Sequence, residues 1–200
     1  MIDHALSDPV LSAQIDPDRI YMAGHSLGGM TAVALAGGRY DDAKMDAFCA
    51  ATPGEKVCDI LGNWQIAETP EDTAAMQADL SDPRIKAFGV FDLGATQTFS
   101  TDSLAAIERP MLVFAAPLDI AGLDLDIESR VLRDALLAAD VTYLEPETLS
   151  HFDFLGICKP GGIEILATEE PGDEVICIHG GAQRQSDHEM IIKEVVAVFQ

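Results

Sequence analysis

A serine hydroxyl becomes a nucleophile only where a neighbour can take its proton and the chain leaves it room. The segment Gly24-His25-Ser26-Leu27-Gly28-Gly29 offers that setting. It follows an apolar run with strand propensity, Ile20 to Ala23, and precedes the small apolar run Leu27 to Ala36, which reads as a helix stopped by Gly37-Gly38. A serine at the tip of a sharp strand-to-helix turn stands clear of the sheet when its flanking positions, here Gly24 and Gly28, carry no side chains. The helix behind it would aim its amino end at the reacting centre, so the Leu27 N–H is the expected donor to an oxyanion. A plain tight turn and a phosphate-binding loop are the competing readings, and the second lacks the lysine such loops use.

The hydroxyl needs an imidazole, and the imidazole a carboxylate to orient it. Among five histidines, His4 precedes the serine, His25 adjoins it, and His179 and His188 lie in the tail. His151, in Leu149-Ser-His-Phe-Asp-Phe-Leu155 after the strand-like run Val141 to Leu144, is the expected base. The expected acid is Asp119, just past the run Met111 to Ala115, where open α/β sheets keep their sites. Asp124 and Asp126 follow closely enough to be confused with it, and a helix N-cap is the other reading of Asp119. Phe152 and Phe154 are expected to pack the base in place or line the acyl pocket, and His25 to contact substrate.

These residues require a sheet whose strand ends meet. Four runs read as strands, Ile20 to Ala23, Ala87 to Phe91, Met111 to Ala115 and Val141 to Leu144, alternating with helical patterns at Leu27 to Ala36, Ile127 to Ala139 and Glu189 to Phe199. Such alternation predicts an α/β fold with a parallel sheet flanked by helices, in one domain spanning 1–200. Residues 39–83, with Trp64 and two cysteines but little strand propensity, read as a helical insertion over the sheet's top, either a lid or ordinary crossover helices.

Composition narrows the partners. A formal charge of −22, from 34 acidic and 12 basic residues, opposes binding to phosphate backbones and anionic membranes, so nucleic acid is not an expected partner. No apolar run is long enough to span a membrane, and the first residues carry no basic-then-apolar leader. The four cysteines form no Cys-x-x-Cys pair, so no metal site is expected. Proximity suggests Cys49 with Cys58 and Cys158 with Cys177, an arrangement that belongs in an oxidising compartment; four buried free thiols are the alternative.

On Asp16-Pro-Asp-Arg-Ile-Tyr-Met-Ala-Gly-His-Ser-Leu-Gly-Gly29, the Arg109-Pro strand ending at Asp119, His151-Phe-Asp-Phe154 and the tail cysteines, the chain resembles the α/β-hydrolase superfamily. Within it, the chain looks most like bacterial dienelactone-hydrolase-like proteins akin to platelet-activating-factor acetylhydrolases. The resemblance runs from about Asp16 to the C-terminus. It implies the C-terminal part of an α/β-hydrolase fold, a Ser-Asp-His esterase working without a cofactor on small or polymeric esters, both disulfides, and a periplasmic or secreted location. Dienelactone hydrolases use cysteine where this chain has Ser26, which favours ordinary ester cleavage. The superfamily also places about a hundred residues before its nucleophile, and here little more than Met1 to Gln14, read as one helix, precedes the strand. The expectation is therefore a truncated domain with one oxyanion donor missing and weak activity. The strand edge would be left bare, so the chain is alternatively a non-catalytic half-domain or a homodimer paired through that edge.

Overall fold

A computed structural model of the chain describes residues 1–65, 69–118, 121–178 and 182–200. The elements run α1 (Ile2–Ser7), β1 (Ile20–His25), α2 (Leu27–Ala36), α3 (Asp42–Ala51), α4 (Lys56–Asn63), α5 (Pro70–Met76), β2 (Ile85–Phe91), α6 (Thr101–Ala105), β3 (Met111–Phe114), α7 (Ser129–Ala135), β4 (Val141–Leu144), α8 (Gly162–Glu169), α9 (Val175–Ile178) and α10 (Ala182–Val198). All pairings are parallel and the strands lie side by side in sequence order, β1-β2-β3-β4. The protein is thus of the α/β class, a parallel sheet flanked by helices, and the four strands match the four apolar runs of the sequence to within two residues.

Both faces of this sheet are covered, which is why its strands read as continuous apolar runs. On one face Phe88, Val90, Met111 and Val113 pack against Ala32 and Val33 of α2 and Leu132 of α7. On the other, Leu112 and Phe114 meet Ile191 of α10. Strand β1 is one of the two edges, hydrogen-bonded to β2 alone among the described residues, and its Tyr21 stacks on Phe199 with ring centres 4.9 Å apart.

The register determines where chemistry can sit. His25 pairs with Phe91, Phe91 with Phe114, and Phe114 with Leu144, so the C-terminal ends of all four strands form one row. The ladder then continues by one bond per strand: Ser26 N–H donates to Phe91 O (3.0 Å), Asp92 N–H to Phe114 O (2.7 Å) and Ala115 N–H to Leu144 O (2.9 Å). Residues 26 and 92 are therefore neighbours by register.

At Ser26 the strand turns into α2 through φ 54° and ψ −122°, a conformation that costs of order 1–3 kcal/mol for a residue with a side chain. Two glycines make the turn possible, in different ways from the symmetrical clearance expected. A Cβ on Gly24 would lie 1.9 Å from the Gly28 carbonyl oxygen, whereas a Cβ on Gly28 would meet nothing within 4 Å. Gly28 thus contributes its backbone's closeness, and the clearance comes from Gly24. Helix α2 ends as expected at Gly37, whose φ of 125° lies in the region that favours glycine.

Elsewhere the helices depart from the sequence pattern for local reasons. Residues 1–14 hold the short α1 rather than one helix, because Asp8 precedes Pro9 and is forced to an extended ψ of 125°. Helix α7 is trimmed at both ends relative to Ile127–Ala139. Glu128 leaves helical geometry to bond the chain after β2, and Leu136 turns out of the helix at ψ 67°. The last helix is longer than expected, beginning at Ala182, since Arg184 and Asp187 are buried despite their charge. Residues 39–83 carry α3, α4 and α5, and Cys49–Cys58 ties α3 to α4 while Cys158–Cys177 closes the segment holding α8 and α9. Among the described residues no helix is long and apolar enough to cross a membrane.

The two glycines of the turn should respond oppositely to a methyl group. Gly24→Ala is expected to lower stability by about 1–3 kcal/mol or more through overpacking. Gly28→Ala, in open space within a helix, is expected to be neutral or to stabilise by up to about 1 kcal/mol. Thermal melts of the two variants check this.

Candidate functional site

Three chain segments converge at the strand-end row. Ser26 tops β1, Asp92 tops β2, and His151 comes in on the loop after β4, opening a short 3-10 turn from His151 to Phe154. The His151 Nδ1 lies 2.7 Å from Asp92 Oδ2. The pair is nearly dry, with 7% of His151 and 2% of Asp92 exposed. Asp92 accepts a second bond at its other oxygen, from Ala116 N–H at 2.9 Å. A carboxylate accepting at Nδ1 fixes the proton there and leaves Nε2 free to accept one.

The carboxylate on the imidazole is therefore Asp92, a residue the sequence reading passed over; Asp119 lies outside the described residues. Two of the other acids considered do different work: Asp124 accepts from Asp126 N–H (2.8 Å), and Asp126 pairs with Arg130 (2.7 Å). A signal for Asp92 was present. It follows β2 as directly as Ser26 follows β1, and Asp is among the few residues that tolerate the positive φ (44°) found there.

Ser26 and His151 line one cavity of about 260 Å³. Its far wall is built by Val57, Ile60, Leu61 and Trp64 of α4 and the residue following it, and Gly94, Ala95, Ala121 and Leu123 line it as well. Val57 is packed with Ala95 beneath the insertion, so α4 is held against the sheet end. Leu27 and Phe152 border the cavity near the serine and histidine, and Lys56 and Glu128 are its charged residues. Ser26 Oγ makes no hydrogen bond to His151 in this arrangement, a separation that nucleophile and base commonly close only when substrate is bound.

The remaining expected residues separate by role. Leu27 N–H, first in α2, has no acceptor among the hydrogen bonds of the described residues, while Gly29 and Met30 N–H bond back to Ser26 O at 2.8 and 3.4 Å. An unspent donor at a helix amino end suits an oxyanion. Phe152 lines the cavity and meets the His151 ring edge-on at 5.1 Å. Phe154 does not line it, and instead stacks on Phe91 at 5.4 Å in the core on the α10 side. His25 also faces the base rather than the cavity: its Nε2 is 2.7 Å from the His151 carbonyl oxygen and the two rings are 4.5 Å apart. Donating that bond, His25 braces the backbone of the base. Burial, reinforced by the neighbouring His151, holds the His25 pKa down to about 4, so it stays neutral in its bracing role.

Glu128 is the second buried carboxyl here, 3% exposed. It accepts from Ala95 N–H (3.0 Å) and Thr96 N–H (2.7 Å), tying down the loop that follows Asp92. Burial pushes its pKa up to about 7, the two N–H bonds opposing the shift only in part. Among the described residues no group of three or more His, Cys, Asp or Glu is arranged to hold a metal ion. Comparison with family models, with curated proteins and with solved structures gives no match.

Two outcomes follow from this geometry. Where the cavity turns over an ester, Asp92→Ala should lower that rate by about 10³–10⁴-fold, as loss of an orienting carboxylate does. Asp119→Ala should stay within about tenfold of the parent, because the single Nδ1 proton is already taken; ester-hydrolysis rates of the two variants decide. Glu128 binds a proton more readily folded than unfolded, so between its ordinary pKa and about 7 its contribution to stability falls as pH rises. Glu128→Gln should remove that component, making the change in melting temperature from pH 5 to pH 8 less unfavourable than in the parent.

Proposed function

We propose that this protein is a serine hydrolase of the α/β-hydrolase type, cleaving carboxylic esters through an acyl-enzyme. What supports the reading above all is that a strained serine at a helix amino end shares one cavity with an imidazole whose Nδ1 is bonded to a buried carboxylate. The resemblance of the Ser26 segment to that superfamily points the same way. Ser26 Oγ attacks the ester carbonyl as His151 Nε2 takes its proton, and Asp92 stabilises the imidazolium. The developing oxyanion is met by Leu27 N–H at the positive end of α2. As the ester C–O bond breaks, His151 returns the proton to the leaving alcohol. Water, deprotonated by the same imidazole, then attacks the acyl-enzyme and frees Ser26 and the acid.

The apolar lining of the cavity and the charge of −22 favour uncharged esters over anionic ones. Two disulfides, which persist outside reducing compartments, support a periplasmic or secreted location. One observation favours a second reading: β1 has a strand on one side only among the described residues and Ala23 on it is exposed. On that reading the chain is a half-domain or homodimer completed by pairing along β1, inert alone.

A chromogenic short-chain ester with the Ser26→Ala variant as control tests the proposal, with a loss of about 10⁴-fold or more expected. Equal turnover by both proteins would falsify it. Fluorophosphonate labelling on a sized sample separates the second reading: rapid labelling of Ser26 in a monomer rules the half-domain out, and an unreactive oligomer supports it.

A further inference from the structure

Beyond the residues around the cavity, one buried cation stands out. Arg184 of α10 is fully buried, touches none of the cavity, and spends each guanidinium nitrogen on a different segment. Its Nε donates to Asp153 Oδ1 at 3.0 Å, Nη1 to Gly156 O at 3.2 Å and Nη2 to Ile176 O at 2.6 Å. Asp153 in turn is 1% exposed. Its other oxygen accepts from Ser150 N–H (2.8 Å) and Ser150 Oγ (2.6 Å), closing a reciprocal cap around the turn that begins with His151. His188, one turn further along α10, donates to the Asp153 carbonyl at 2.8 Å.

We propose that Arg184 is a positioning residue for His151, acting through Asp153, and that it couples the disulfide-closed segment 158–177 to the placement of the base. The proposal rests on the reading of His151 as base. A buried ion pair seldom repays its desolvation in stability, so two apolar side chains would make a better simple joint. What an Arg–carboxylate pair supplies is direction, since the guanidinium is a rigid fork whose donors fix the acceptors' relative placement. Here the three acceptors belong to the base's turn, to the loop leaving it and to α9 inside the disulfide loop. A one-residue displacement of that turn would carry His151 away from Asp92 and Ser26. Lysine, with one nitrogen and no fork, cannot hold all three.

Arg184→Lys, Arg184→Met and Asp153→Asn, the last keeping an oxygen for Ser150 without the charge, test this in the intact chain. The first readout is kcat on an uncharged ester, per site titrated with a fluorophosphonate. It should fall by about 10–100-fold, the size of effect that small misplacement of a reacting group produces, with KM within about twofold. The second is independent of activity: the low-field proton resonance of the His151 Nδ1–H bonded to Asp92 should be sharp in the parent and broadened in the variants. Where Arg184→Met does not fold, Arg184→Lys and Asp153→Asn carry the test. Folded variants with the parental resonance and parental kcat per site overturn the proposal, and so does a parent without the resonance. A parent that shows the resonance yet hydrolyses no ester overturns the proposed function instead, leaving the resonance to judge Arg184.

Discussion

The placement of Ser26 and Asp92 at one end of the sheet depends on a backbone constraint, the common termination of three parallel strands. Because His25, Phe91 and Phe114 lie in one register row, the next residue of each strand is held by a ladder bond to its neighbour. Ser26 and Asp92 owe their adjacency to that ladder and not to any contact between their own side chains. The imidazole is the one member delivered by a loop, and it is accordingly the one with most braces: Asp92 on its ring, His25 on its carbonyl, and the Ser150–Asp153 cap around its turn.

Those braces are buried polar groups, and burying them is costly unless each finds a partner. The fold meets that requirement by chaining them. Asp92 accepts from both His151 and Ala116 N–H, Glu128 holds the backbone just beyond Asp92, and Asp153 serves Ser150 on one side and Arg184 on the other. Among the side-chain polar atoms of the described residues, only the Ser129 hydroxyl and one oxygen of Asp187 are buried without a hydrogen-bond partner. The region around His151 is thus densely bonded, while the α4 wall of the cavity is apolar at Val57, Ile60 and Leu61 and carries one cation, Lys56.

The elements were largely legible because parallel strands covered on both faces announce themselves as short apolar runs, and because Gly24, Ser26 and Gly37 mark a strand-to-helix turn and a helix stop by type alone. Both disulfides followed from spacing and from the resemblance. Asp92 was not legible as the imidazole's partner, since an aspartate after a strand occurs more than once and only the register shows that this one reaches His151; Asp119 lies outside the described residues. Arg184 and Asp187 were illegible for a different reason. Charged residues at the start of α10 look like solvated surface, and nothing local reveals that they lie beneath the histidine turn. Phe154 is packed into the core with Phe91 and near His25 rather than lining the cavity, a choice that the sequence pattern alone does not make.

The division between α4 and the rest carries a consequence for how such a protein can change over time. The cavity's far wall is mostly one short helix, pinned to α3 by a crosslink between cysteines nine residues apart. None of the serine, histidine or aspartate side chains is carried by it. Exchanging side chains at Ile60 or Trp64 would therefore reshape the cavity without moving Ser26, His151 or Asp92, whereas Val57 and Leu61 also pack with Ala95 beneath the insertion. The cavity's shape thus has a small module of its own, separate from the segments that carry the serine, histidine and aspartate.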